Sequence, residues 1–192
     1  MAPVRILILG PQGSGKGTQA KRIAAAYDVP HVATGDILRA AVADGSELGA
    51  QVRPIVERGD LVPDELMVGL IRERLADEEG FVLDGFPRTI AQAEALDTML
   101  EEIGKPLDAV ILLQVSDQVA TERLRSRAIQ EGRADDSPEA IRNRLRLYHE
   151  LTELVVERYR IVGTEVAVDG EQTVDDVFAS IQDALQGVVA SR

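Results

Sequence analysis

A chain of 192 residues, 45% of them hydrophobic, is long enough for one globular domain with a real core. The absence of Cys excludes disulfides and a cysteine zinc site and fits the cytoplasm, and no apolar run approaches the roughly 18 residues of a membrane span. A net charge of −12 argues against general affinity for nucleic acid, which needs basic surface.

The first predicted strand is "VRILIL", Val4 to Leu9. It is too short for a signal-peptide core and runs straight into a glycine loop, so no export signal is expected. That loop, "GPQGSGKGT", spans Gly10 to Thr18. It follows the pattern G-x-x-x-x-G-K, but Gly17 stands where Ser or Thr is usual and Thr18 comes one place later. Gly10, Gly13, Gly15 and Gly17 allow backbone N–H groups, Ser14 among them, to converge on an anion. A helix beginning near Gly15 adds its positive end, and Lys16 can reach terminal phosphates. The stripe Ala20, Ile23, Ala24 and Tyr27 supports that helix. Gly17 has no hydroxyl to offer Mg²⁺, so Thr18 is the candidate for that role.

The second strand is "VPHVA", Val29 to Ala33. Thr34 and Gly35 lie at its carboxyl end, and Asp36 can cap a helix that carries Arg39. By itself this is an ordinary strand–helix junction. Residues 36–62 hold about two helices' worth of sequence without a strand, either a flap over a site or a surface insertion. A helix follows Pro63 and Asp64 with Met67, Leu70, Ile71 and Leu75 on one face. The third strand, "FVLD" at Phe81 to Asp84, carries a carboxylate to its end. Asp84 can hold a Mg²⁺-bound water or cap the next turn. Beyond Gly85, Phe86 and Pro87, Arg88 can grip a phosphate bidentately. Leu96, Met99, Leu100 and Ile103 mark the next helix, and "AVILLQV", Ala109 to Val115, the fourth strand.

Residues 126–136, "SRAIQEGRADD", are polar and sit between two helices. Ser137 before Pro138 is a helix-start signal. The helix predicted from there to about Tyr159 gathers Ile141, Leu145, Leu147, Tyr148, Leu151, Leu154 and Val155 in one arc. Arg144 falls inside that arc, Arg142 and Arg146 outside it, and Arg158 near it at the helix end. A guanidinium on a buried face needs an anionic partner, either a structural carboxylate or a substrate phosphate. With Arg123, Arg125, Arg127 and Arg133 these form an arginine cluster. The chain holds 18 Arg against 3 Lys; Arg is the better fork for phosphate oxygens, though compositional habit gives the same bias. "EVAVD", Glu165 to Asp169, is the fifth strand, and "TVDD" at Thr173 a capping box with Asp in place of Glu. Alternating strands and helices predict an α/β fold with a five-stranded parallel sheet flanked by helices, and ligands gather at the carboxyl ends of such strands.

These motifs, in this order, resemble the nucleoside monophosphate kinases, and within them the adenylate kinase family in its short-lid form. "GPQGSGKGT", "TGDILRA", "GDLVPDEL", "VLDGFPRT", the pair "GRADD" and "IRNRL", and "VDG" carry the resemblance over essentially the whole length. Gly17 followed by Thr18 is this family's form of the loop. The resemblance implies a P-loop kinase fold in a single domain: core 1–32, 63–125 and 137–192, an AMP-binding flap at 33–62 and a lid at 126–136. It implies that Gly13, Ser14, Gly15, Lys16, Gly17 and Thr18 hold the ATP phosphates. Arg123 would stack on the ATP adenine, which Gly170 and Gln172 would line. Thr34, Gly35, Arg39, the backbone of Asp60, Leu61 and Val62, Gly85, Phe86, Arg88 and Gln92 would hold AMP, with Arg133 and Arg144. Arg127, Arg133 and Arg144 would clamp the transferring phosphoryl group, with Asp135 and Asp136 at the lid hinge. Asp84, Asp36 and Thr18 would position hydrated Mg²⁺.

The implied reaction is reversible transfer from ATP to AMP, giving two ADP, in a cytoplasmic monomer. The attacking phosphate oxygen is already ionised at pH 7, so no general base is required. Short lids also occur in uridylate/cytidylate kinases, the alternative. Thr34 and Gln92 lean to adenine, because the pyrimidine enzymes usually place Ala and Asn there. A GTPase switch needs an N-K-x-D motif, and the sole Asn, Asn143, is followed by Arg144. Retention of every phosphate-clamping position argues against a non-catalytic module.

Overall fold

The computed structural model describes residues 3–189. Its strands are β1 (Arg5–Leu9), β2 (His31–Ala33), β3 (Phe81–Asp84), β4 (Ala109–Gln114) and β5 (Glu165–Asp169). They form one parallel sheet in the order β2-β3-β1-β4-β5. The helices among the described residues are α1 (Lys16–Tyr27), α2 (Thr34–Ala43), α3 (Glu47–Arg58), α4 (Asp64–Leu75), α5 (Ile90–Glu102), α6 (Asp117–Glu131), α7 (Pro138–Leu147), α8 (Glu153–Val162) and α9 (Val174–Val189). No helix among these residues is long and apolar enough to cross a membrane.

The central strands are apolar over most of their length because both faces of the sheet are covered, while the edge strand β5 buries only Val168. Ile6 and Ile8 of β1 pack with Ala20 and Ile23 of α1 and with Val177, Ile181 and Leu185 of α9. Leu7 and Leu9 point the other way, into a core built with Met67, Ile71 and Leu75 of α4, Leu96 and Leu100 of α5, and Val155 and Tyr159 of α8. β1 and β3 lie side by side, Ile8 against Asp84. The chain leaves β1 toward β2 and β3 toward β4, so a crevice opens at their carboxyl ends.

Three expectations shift. β2 is shorter than the predicted run because Pro30 has no N–H; only its carbonyl joins the ladder, accepting from Val82 N at 2.9 Å. The segment 126–136 is not a separate polar link: α6 continues through Glu131, stops at Gly132 in the left-handed conformation (φ 61°), and a 3₁₀ turn follows at Ala134–Asp136. The long helix predicted from Ser137 is interrupted by a π-helical turn at Tyr148–Thr152. One turn of i→i+5 bonding inserts an extra residue and slips the hydrophobic phase by about 100°. Leu154 therefore leaves the buried arc (54% exposed), Val156 enters it, and Arg158 is turned away to pair with Asp97.

Candidate active site

The floor of the crevice is the glycine loop. α1 begins at Lys16, with Gly15 in the left-handed region (φ 93°) as its N-cap and no side chain capping it. The first-turn N–H groups of α1 thus face the cleft unpartnered by a cap. A side chain on Gly15 would meet nothing within 4 Å, so the space ahead of the helix is open. Gly13 is constrained differently: at φ 88° its Cβ would run into the carbonyl of Ala120 on α6. One glycine serves packing; the other leaves room for an anion. Lys16 curls over the loop, its Nζ donating to the carbonyls of Gly10 and Pro11, each at 2.8 Å. Burial lowers its pKa to about 8; Asp84 opposes this and Arg88 and Arg127 add to it. Thr18 is exposed at the rim, and a Cβ on Gly17 would lie 3.5 Å from Asp84 Oδ2.

Asp84 ends β3, level with Ile8 of β1 and Ala33 of β2. Its carboxylate does not cap the following turn; its near neighbour is His31 Nε2, 3.5 Å away. Its carbonyl accepts from Thr34 Oγ1 at 3.2 Å. Asp36 does not cap α2, which starts at Thr34 behind Ala33; it sits in the first turn and accepts from Arg39 at 2.5 Å. Burial tends to raise its pKa, but the bond and charge of Arg39, with Lys21 and Arg133, outweigh that and hold it low.

Arg88 is fixed at three points. Its Nε donates to the Gly85 carbonyl at 2.8 Å, its backbone N–H to Gln92 Oε1 at 2.8 Å, and its carbonyl accepts from Thr152 Oγ1, on the π-turn, at 3.0 Å. Burial brings its pKa down to about 10, helped by Arg144 and Arg39 and opposed by Asp84.

The arginine cluster meets carboxylates of its own chain. Arg127 donates twice to Asp136, at 2.8 and 2.9 Å. Arg144, 9% exposed, donates to Asp136 at 2.7 Å, to Asp135 at 2.9 Å and to the Val56 carbonyl at 3.3 Å. Of the two partners open to Arg144, structural carboxylates take it here. Burial would raise the pKa of Asp135, but Arg144 and Arg39 hold it below the usual carboxylate range. Arg133 pairs with Glu131 at 2.6 Å. Arg123 ties the loop to the turn after β5, donating to Gly170 O at 2.9 Å and Ser14 O at 3.3 Å. Asn143 bridges to the end of α3, reaching Asp60 Oδ1 at 2.7 Å.

Together these groups surround a cavity of ≈ 420 Å³, within the range of about 300–1,000 Å³ usual for small-molecule sites. Lys16, Lys21, Arg39, Arg88, Arg123, Arg127, Arg133 and Arg144 line it against Asp36, Asp60, Asp84, Glu131 and Asp135. Gly13, Gly15, Gly17, Thr18, Thr34, Gly35, Leu61, Val62, Gly85 and Gln92 join them. Four expected residues are not in the lining. Phe86 is in the core at 1% exposure, because it points below the turn that Arg88 tops. Ser14 is buried behind the loop, its Oγ without a partner among the described residues. Gly170 is buried and reaches the cleft only through Arg123. Gln172 is exposed and bonds Asp169. Arg125, Arg142 and Arg146 stay on the surface. Lys21, His31, Val56 and Met67 are lining residues the motifs did not mark; Lys21, three residues after Thr18 on α1, was findable from helical spacing.

Asp84 and Asp36 are hard oxygen donors beside a phosphate-type loop. No group of three or more His, Cys, Asp or Glu among the described residues can hold a metal. That donor set suits a hydrated ion held by one or two carboxylates and by substrate phosphates, and not a protein-caged one.

A model of the adenylate kinase family matches residues 8–164. A protein of Stenotrophomonas maltophilia (strain R551-3) named adenylate kinase is 46% identical over 187 residues, covering 96% of this chain and 100% of that one. One of Xanthomonas campestris pv. campestris (strain B100) with the same name is 47% identical over 185 residues, covering 95% and 99%.

Proposed function

This chain belongs to the adenylate kinase family, and from that premise we propose that its cleft catalyses ATP + AMP ⇌ 2 ADP. The observation that carries the reading is the convergence of eight cationic side chains on one cleft, around a phosphate loop, in a chain of net charge −12. Polyanionic ligands are drawn to such a focus of field.

An oxygen of the AMP phosphate attacks the γ-phosphorus of ATP in line; the new P–O bond forms as the bond to the β-phosphate oxygen breaks, and ADP leaves with that electron pair. No proton need be removed, so the protein's work is positioning and charge stabilisation. The first-turn N–H groups of α1 and Lys16 hold the ATP phosphates. Arg88, already fixed by Gly85, Gln92 and Thr152, and Arg39 hold the AMP phosphate. Arg127, Arg133 and Arg144 clamp the transferring group, exchanging bonds to Asp135, Asp136 and Glu131 for bonds to phosphate oxygens. Arg123, with Gly170 and Gln172 behind it, borders the ATP base. Thr34 and Gln92 read the AMP base, beside the Asp60–Val62 backbone. When bound, Mg²⁺ neutralises charge on the ATP phosphates; Asp84 and Asp36, with Thr18 at the rim, would hold its waters. Residues 33–62 act as the flap and 126–136 as the lid, and their closure excludes water. A cytoplasmic monomer working on free nucleotides belongs to the same proposal.

A coupled assay of ADP formation with AMP, CMP, UMP and GMP tests it. AMP should give the highest kcat/KM by a wide margin; faster turnover with CMP or UMP would overturn it.

A further inference from the structure

Gln92 is 2% exposed, and its amide is held from two sides. Its Oε1 accepts the Arg88 backbone N–H at 2.8 Å, and its Nε2 donates to Asp64 Oδ1 at 2.7 Å. Asp64 is the first residue of α4, 28 positions away. Its other oxygen, Oδ2, accepts from Thr89 Oγ1 at 3.0 Å, and that hydroxyl in turn accepts the Gln92 backbone N–H at 3.2 Å as N-cap of α5. Both carboxylate oxygens are thus committed to the α5 start.

An amide presents a donor and an acceptor on neighbouring atoms, and a half-turn exchanges them. At this site the half-turn is opposed twice. It would set the amide oxygen against the Asp64 carboxylate, which only accepts, and the NH₂ against the Arg88 N–H, which only donates. We infer that Asp64 is a specificity-determining positioning residue: it fixes which way the Gln92 amide faces and so which base pattern the cleft accepts.

The inference rests on the reading that this cleft binds a nucleoside monophosphate beside Gln92. Adenine and cytosine share one pattern, a ring-nitrogen acceptor beside an exocyclic amino donor. Guanine and uracil carry the reverse, a ring N–H donor beside a carbonyl acceptor. An amide locked in one orientation pairs with the first pair of bases and rejects the second. An amide released to flip serves either.

The experiment measures kcat/KM for AMP, CMP, GMP and UMP with ATP and Mg²⁺ in the full chain and its Asp64→Ala and Asp64→Asn variants. Releasing one of the two restraints should lower the AMP/GMP and AMP/UMP ratios roughly tenfold, while AMP/CMP stays within about twofold and KM for ATP is unchanged. Asp64→Asn can keep its oxygen toward Gln92 and turn its NH₂ to Thr89 Oγ1, so its ratios should match the parent. A purely structural role for Asp64 would lower all four activities together. Equal ratios in parent and Asp64→Ala, or a loss of AMP/CMP discrimination equal to that of AMP/GMP, would overturn the role of Asp64. Failure of the parent itself to use AMP would instead overturn the functional reading. Should Asp64→Ala not fold, Asp64→Ser carries the same comparison, its hydroxyl being too short to span to Gln92.

Discussion

Replacing Arg144 with alanine removes a guanidinium that is 9% exposed and leaves two buried carboxylates behind it. A hydrogen bond to a charged group is worth about 1.5–3 kcal/mol, and breaking a buried ion pair from one side costs about 3–5 kcal/mol. Here the loss is cushioned. Asp136 keeps both bonds from Arg127, and Asp135 keeps Arg39 at 3.7 Å. The lower end applies, about 3 kcal/mol. For a chain of this size each kcal/mol moves Tm by about 2–4 °C, so Tm should fall by roughly 6–12 °C. The pH dependence has a definite sign. In the parent, Arg144 and Arg39 hold the pKa of Asp135 low in the folded state. That contribution is fully present above the unfolded carboxylate pKa and lost as pH falls through the folded one. In the variant, burial of Asp135 is no longer offset by Arg144. The stability gap should therefore be widest above about pH 5 and shrink on acidification. Urea unfolding of both proteins between pH 4 and 8 measures it. A gap under about 1 kcal/mol at pH 7, or one that widens in acid, would refute the reasoning. Below its Tm the variant should also lose turnover on the order of 10²-fold or more, as expected when a group that stabilises developing charge is removed.

Lys16 should take up a proton when ATP binds near pH 8, because its pKa is lowered to about 8 by burial and phosphates would raise it. Calorimetry of Mg²⁺-free ATP binding at pH 8, in two buffers of different ionisation heat, should show a buffer-dependent enthalpy that disappears in Lys16→Met; identical heats in both buffers would count against it. Gly13→Ala and Gly15→Ala should separate. The first forces a Cβ into the Ala120 carbonyl and should destabilise the chain by several kcal/mol. The second meets no atom, and should cost about 1 kcal/mol while blocking the anion space, read as lost ATP binding in a folded protein. Equal loss of stability in the two would show that the loop's glycines are interchangeable.

Much of the sheet was legible because a buried parallel strand needs an unbroken apolar run and little else. Phe81–Asp84 and Glu165–Asp169 begin and end where the pattern places them. The phosphate loop was legible because glycines, lysine and strand–helix context are all local. The start of β2 departs from the apolar run because Pro30 has no N–H to give the ladder, while its end at Ala33 is where the pattern places it. The π-turn was invisible because a single 3.6-residue period fitted every position up to Tyr148, and only the burial of Val156 in place of Leu154 reveals the slipped phase.

The sequence by itself placed Lys16 and Asp84 at the carboxyl ends of strands and marked seven of the eight cations that line the cleft, but it did not mark Lys21, and its arginine cluster also held Arg125, Arg142 and Arg146, which stay on the surface. It also showed that Arg144 lies on a buried face and needs an anion. Only the tertiary structure decided that Asp135 and Asp136 supply it, and that Asp64 and the Arg88 N–H together orient the Gln92 amide. Periodicity reports how a side chain is turned relative to its own helix. Which charge or hydrogen bond it meets depends on a second segment brought close in space, and that is set by packing.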